Sequence, residues 1–199
     1  YNPDGSEAEK SGNGLRMFAK YLYEHGHTKK ETFTIDTEGG LTTATVKVKN
    51  KKVTEITVEM GEAIFQSKDI PVAGKDREVV KETLPVDDKE YAITCVSVGN
   101  PHCVIFTDTL DVEELRKYGP LLENHKFFPN RINVQFAKVL SRDTIEILIW
   151  ERGAGETSAS GSSSCAVACA AKKNGLVDDN ITIKSSGGEL KIRLHDWDI

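Results

Sequence analysis

A Ser-Gly step runs directly into a helical pattern at two places in this chain, Ser11-Gly12-Asn13-Gly14 and Ser160-Gly161-Ser162-Ser163. Ser and Asn cap helix N-termini well, because their side-chain oxygens accept from the first free backbone N–H groups. Small residues around the cap leave the remaining N–H groups unobstructed. Together with the helix dipole, such a start receives an anion. Two starts of the same kind therefore predict two structural units, each offering a helix N-terminus, that could be aimed at one carboxylate.

The periodicity between these points supplies the elements. Leu15, Phe18, Ala19 and Leu22 form one apolar helix stripe from about Gly14 to His25, closed by Gly26. Residues 32–37, 41–49 and 53–60 alternate and are rich in Thr, Val and Ile, with turns at Gly39-Gly40 and Asn50-Lys51. They predict an antiparallel meander. The charged stretch 71–88 reads as loop. Strands are expected at 91–98 and 103–107, split by Gly99-Asn100-Pro101-His102, and Asp111 caps a short helix carrying Val112 and Leu115. Further strands fall at 131–139 and 144–150. A buried helix spans 162–174 and stops at Gly175, and a hairpin of 181–184 and 189–194 turns at Gly187-Gly188.

Composition excludes several classes. A hydrophobic fraction of 38% and a charged fraction of 29% suit a globular chain. The net charge is −5 with cations scattered, so nucleic acid is not an expected partner. No apolar run is long enough to span a membrane, and no signal peptide opens the chain. Cys95, Cys103, Cys165 and Cys169 lack metal-ligand or disulfide-framework spacing and read as small buried hydrophobes. No metal site is expected, and the expected location is cytoplasmic.

The longer segments around the two steps carry the chemistry. They are Asn2-Pro3-Asp4-Gly5-Ser6 with Glu9-Lys10-Ser11-Gly12-Asn13-Gly14, and Glu151-Arg152-Gly153-Ala154-Gly155-Glu156-Thr157 with Ser158-Ala159-Ser160-Gly161. They resemble the two active-site signatures of the diaminopimelate epimerase family, which racemises amino acids without pyridoxal phosphate through a pair of cysteines. The resemblance covers nearly the whole chain. It implies that Ser11 and Ser160 stand at the two acid/base positions, and that Gly12-Asn13 and Gly161-Ser162 bind the reacting carboxylate. It further implies substrate-binding roles for Asn2, for Asn100 in Gly-Asn-Pro-His, for Asn133 in Arg-x-Asn-Val, and for the pair Glu151-Arg152. His102 matches a family His near the site.

The departures are specific. Both cysteine positions hold serine, and Ser163 stands where the family usually has Gly. The family's pattern begins upstream of Tyr1 and continues past Ile199, so a truncated pair of halves is expected.

The expected fold is α+β, with two similar halves, each a mostly antiparallel sheet around a central helix. The expected boundary gives 1–55 to the amino-terminal half and 56–199 to the carboxy-terminal half. The expected activity is two-base epimerisation of an α-amino acid, with diaminopimelate as the default substrate, blocked by the two serines. Racemisation of another amino acid such as histidine, or amino-acid binding without catalysis, are the alternatives. No cofactor is implied: a Schiff-base enzyme needs a positioned Lys, and the lysines here lie in surface-like contexts. The expected partner is a small amino acid, without nucleic acid or membrane, and the resemblance is compatible with a homodimer.

Overall fold

The computed structural model describes residues 11–37 and 40–199. Asn2 and Gly39 lie outside the described residues. The chain divides into two compact units, Tyr1–Gly61 and Glu62–Ile199. A boundary at residue 55 would cut through β3 (Lys52–Val58).

In the first unit, helix α1 (Gly12–Glu24) packs on a sheet of β1 (Thr32–Thr37), β2 (Gly40–Lys49) and β3. Both pairings are antiparallel, with Thr32 opposite Thr45 and Val46 opposite Ile56. The core is Leu15 and Ala19 from the helix with Ile35, Ala44, Val46 and Val53 from the strands. Burying one such Leu or Ile contributes about 1.5–3 kcal/mol.

The second unit is an eight-stranded mixed sheet. Its strands are β4 (Glu82–Val86), β5 (Lys89–Ser97), β6 (Pro101–Phe106), β7 (Asn133–Ser141), β8 (Thr144–Glu151), β9 (Gly155–Thr157), β10 (Asn180–Ser185) and β11 (Gly188–Arg193). The order is β11-β10-β8-β7-β6-β5-β4, with β9 pairing β8. Two pairings are parallel, β6 with β7 and β8 with β10. Parallel neighbours need a crossover. Helix α2 (Val112–Glu123) supplies the first and α3 (Gly161–Lys173) the second.

The helices cover opposite faces. Cys95, Cys103, Ile105, Val134 and Phe136 join the α2 core with Leu115, Tyr118 and Leu122. The alternate positions face α3: Asn174, the α3 C-cap, donates to Thr94, and Gln135 donates to Ser163. A sheet covered on both sides has no solvent face, so β5 and β6 read as almost unbroken buried runs.

Three expectations are corrected. The stretch 71–88 contains β4, whose Leu84 and Val86 point inward while Pro85 sits at the sheet edge, where a missing N–H is tolerated. Helix α2 is not short: it runs through Gly119-Pro120, because Tyr118 and Leu122 are buried on its stripe. A Cβ on Gly119 would come within 2.8 Å of the Trp150 ring, so only glycine lets α2 lie this close to β8. Strand β9 is an element the sequence reading lacks.

Candidate active site

Each Ser-Gly step begins a helix as expected. Ser11 is the N-cap of α1: its backbone is extended (φ −128°, ψ 111°) and its Oγ accepts from Gly14 N at 3.2 Å. The Ser11 carbonyl accepts the first helical bond from Leu15 N at 2.8 Å. Gly12 is buried, while Asn13 is exposed and its Oδ1 accepts from Arg16.

Ser160 caps α3 in the same conformation (φ −147°, ψ 128°), with Oγ accepting from Ser163 N at 3.4 Å. Its surroundings differ. Ser160 is buried, its carbonyl accepts from Ser164 N at 3.1 Å and from Ser164 Oγ at 2.8 Å, and its Oγ lies 3.5 Å from Ser162 Oγ.

In the second unit, Asn100 and, through it, His102 reach this helix start. Asn100 closes the turn between β5 and β6 and donates from Nδ2 to Ser162 Oγ at 3.4 Å. His102, fully buried, stands 2.8 Å from Asn100 Oδ1 through Nε2. Burial pushes its pKa down to about 3, so the ring is neutral in the physiological range.

Asn133, at the start of β7, is buried and engaged at both ends. Nδ2 donates to Pro101 O at 2.8 Å, and Oδ1 accepts from Arg152 N at 2.9 Å. It thus ties the β6 start to the turn after β8. Glu151 is half-buried at the end of β8, and Arg152 is exposed and donates from its guanidinium to Asn130 O at 3.2 Å. Ser11, Gly12 and Asn13 belong to the first unit.

Sequence reasoning missed residues that hold these groups in place. Glu123 ends α2 with its carboxylate buried. It accepts from Trp150 Nε1 at 2.8 Å, Gly153 N at 2.9 Å and Arg131 at 3.1 Å. This braces the turn that carries Glu151 and Arg152. The signal was present: Glu123 falls on the stripe Leu115, Tyr118, Gly119, Leu122, where an apolar residue belongs. Gly187 donates to Ser158 O at 2.7 Å, and a Cβ there would meet Ser158 O at 2.8 Å and Ala159 Cβ at 2.9 Å. The β10–β11 turn therefore clamps the segment leading into Ser160, and only glycine permits the approach.

The four cysteines are buried, and desolvation raises the Cys169 thiol well above its ordinary value. No group of three or more His, Cys, Asp and Glu that could hold a metal ion occurs among the described residues. No helix among them is long and apolar enough to cross a membrane.

What the arrangement can do follows from its polarity. The α3 start offers backbone N–H donors, hydroxyls and the Asn100 amide within a largely buried setting, which suits a carboxylate. The hydroxyls at this start, those of Ser160, Ser162, Ser163 and Ser164, are far weaker acids than a thiol.

Comparison with known proteins agrees with these motifs. The family model described as diaminopimelate epimerase matches residues 1–66 and 94–198. The chain is 50% identical over 196 residues to "Diaminopimelate epimerase 2" of a Nostoc species, covering 98% of this chain and 68% of that protein. It is 43% identical over 199 residues to the diaminopimelate epimerase of Agathobacter rectalis, covering 96% of this chain and 70% of that protein. Among solved structures it resembles a probable proline racemase from Agrobacterium radiobacter, with a TM-score of 0.73 and 16% identity. That match covers 96% of this chain and 60% of the racemase, so the chain spans about three fifths of that structure's length. At this identity the likeness speaks to fold alone.

Proposed function

The chain belongs to the diaminopimelate epimerase family, and we propose that it binds an α-amino acid, most readily diaminopimelate, at that family's site without exchanging its Cα proton. The observation that carries the reading is serine at both positions, 11 and 160, where the resemblance places the acid and the base.

Two-base epimerisation removes the Cα proton on one face and returns a proton on the other. Charge develops on the substrate carboxylate as the proton leaves. Fixed N–H donors stabilise that charge in the transition state. In this reading Gly12, Asn13, Gly161 and Ser162 receive the reacting carboxylate, with Asn100 beside them. Arg152, with Asn2, holds the far end of the substrate, and Glu151 receives an ammonium group. Asn133 contributes by fixing the Arg152 backbone. Ser11 and Ser160 occupy the two proton-transfer positions.

A thiol at a helix N-terminus has its pKa lowered towards neutrality and can serve as acid or base. A hydroxyl's pKa lies far above the working range, so neither serine forms the base. Oxygen in place of sulfur changes shape little, so the ligand still fits. The two serines equally favour a second reading, an amino-acid-binding protein that keeps the family's site for recognition. A cytoplasmic location and a small-molecule partner go with either.

Isothermal calorimetry with LL- and meso-diaminopimelate, lysine and histidine tests the substrate assignment. Saturable binding of diaminopimelate with weaker lysine binding supports a site that grips a far carboxylate. Preference for histidine would shift the assignment to that amino acid, and no binding of any of the four would sink the proposal.

A further inference from the structure

Four buried polar atoms of the second unit have no hydrogen-bond partner among the described residues, and two of them belong to neighbouring side chains: His102 Nδ1 and Gln135 Oε1. The parallel β6–β7 register sets His102 beside Asn133 and Val104 beside Gln135. His102 and Gln135 therefore stand on one sheet face, the face α3 covers. His102 Nε2 lies 2.8 Å from Asn100 Oδ1, and Asn100 Nδ2 reaches Ser162 Oγ at 3.4 Å. Gln135 Nε2 reaches Ser163 Oγ at 3.1 Å. The polar run Ser162, Asn100, His102, Gln135, Ser163 thus leaves the first turn of α3 and returns to it.

Counting protons along the run gives its order. A neutral imidazole has one N–H and one bare nitrogen. With Nε2–H given to Asn100 Oδ1, Nδ1 is bare and needs a donor. A half-turn of the Gln135 amide supplies it: the NH2 faces His102 Nδ1, and the amide oxygen accepts from the Ser163 hydroxyl. Both orphans are satisfied at once. The opposite order keeps the Gln135 amide, puts the ring proton on Nδ1 and turns Asn100 instead. Asn100 would then aim its oxygen at Ser162. The two orders differ in what Asn100 offers at the helix start: an N–H in the first, a lone pair in the second. A carboxylate is held only by the first.

We infer that Gln135, seated on the Ser163 hydroxyl, is a positioning residue that holds His102 in its Nε2–H tautomer and so turns the Asn100 N–H towards the carboxylate-receiving start of α3. The hydrogen-bond order stands on geometry alone, whereas its use for a carboxylate rests on the proposed function. Ser163 thereby acquires a role at the position where the family usually has Gly. Leaving two buried polar atoms unpaired carries the desolvation cost of both, which sets the drive towards the satisfied order.

The test is long-range ¹H–¹⁵N spectroscopy of the full chain labelled at histidine, with the His102 signals identified by their loss in His102→Asn. The expected result is a bare Nδ1 and a protonated Nε2. Gln135→Glu replaces the donor by an acceptor and should move the ring proton to Nδ1 or add one there, while weakening diaminopimelate binding about tenfold. Ser163→Ala frees the Gln135 amide and should give a mixture of tautomers, which decides the matter if Gln135→Glu fails to fold. An Nδ1–H tautomer in the unaltered chain, or an unchanged tautomer in both variants, overturns the inference. A merely structural Gln135 would change stability in these variants and leave the tautomer as it was. If the unaltered chain binds no amino acid, the functional reading falls, and the tautomer measurement still decides the hydrogen-bond order.

Discussion

Helices α1 and α3 begin with the same chemistry in different surroundings. Both have a serine N-cap in extended backbone, followed by glycine. Ser11 is exposed, and its hydroxyl accepts from Gly14 N. Its helix buries a narrow stripe, Gly12, Leu15 and Ala19, and leaves Met17, Phe18 and Tyr21 at 69%, 47% and 49% exposure. Ser160 is buried and sits among hydroxyls of its own first turn, while α3 is buried from Ser163 to Ala171. Gly187 clamps the approach to Ser160, and Glu123 braces the turn before it. A cap motif thus decides where a helix starts. The packing around it decides whether the start is a preorganised polar site.

The largest contrast should appear with pH. The folded pKa of His102 is depressed to about 3 by burial, against an unfolded value of about 6.5. Its stabilising contribution is therefore complete above about 6.5 and is lost as pH falls towards 3, at up to about 1.4 kcal/mol per pH unit. Hydrogen exchange across that window should loosen β6 and α3, and His102→Asn should flatten the dependence. Equal loosening of α1 and α3 would erase the contrast.

Affinity should divide in the same way. Arg152→Ala removes the charge-assisted partner of a far carboxylate, so diaminopimelate binding should weaken about 10- to 100-fold by calorimetry. Unchanged affinity for every dicarboxylic amino acid would mean a substrate without that group.

Glu123→Gln sharpens the role of the bracing carboxylate. Both oxygens of Glu123 accept from N–H donors, but an amide has one acceptor, so either Trp150 or Gly153 must face an NH2. Denaturant unfolding should show a loss of about 1–3 kcal/mol. A variant as stable as the parent would remove Glu123 from the account.

These residues also mark what the sequence could not show. The meander, the ends of α1 and α3 and the caps were legible because each rests on local periodicity or on cap chemistry within a few residues. Strand β4 was not, since Pro85 and the flanking charges hide an edge strand in which Leu84 and Val86 alone point inward. Helix α2 ran past Gly119-Pro120 because packing against Trp150 outweighs propensity there. Within the site, Asn100, His102 and Asn133 were legible as motif residues. Gln135 and Glu123 were not, because each acts through a partner far along the chain, Ser163 and the Gly153 turn.

The smallest predicted effect compares the caps directly. Ser11→Ala should cost about 0.5–1 kcal/mol, the usual value for an exposed cap. Ser160→Ala leaves the buried Ser163 N–H without its acceptor and should cost about 1–3 kcal/mol. Equal losses on thermal unfolding would mean that the two starts are energetically alike.

The central claim is that the serines preserve binding and abolish proton transfer. Its most direct test is NMR-detected exchange of the Cα hydrogen of diaminopimelate in D2O, at saturating concentrations of the unaltered chain and of three variants: Ser11→Cys, Ser160→Cys and both together. The account predicts bound ligand with no exchange above background for the unaltered chain, little for either single variant, and clear exchange for the double variant. Rapid exchange by the unaltered chain would contradict it, as would a double variant that binds the ligand and remains inert.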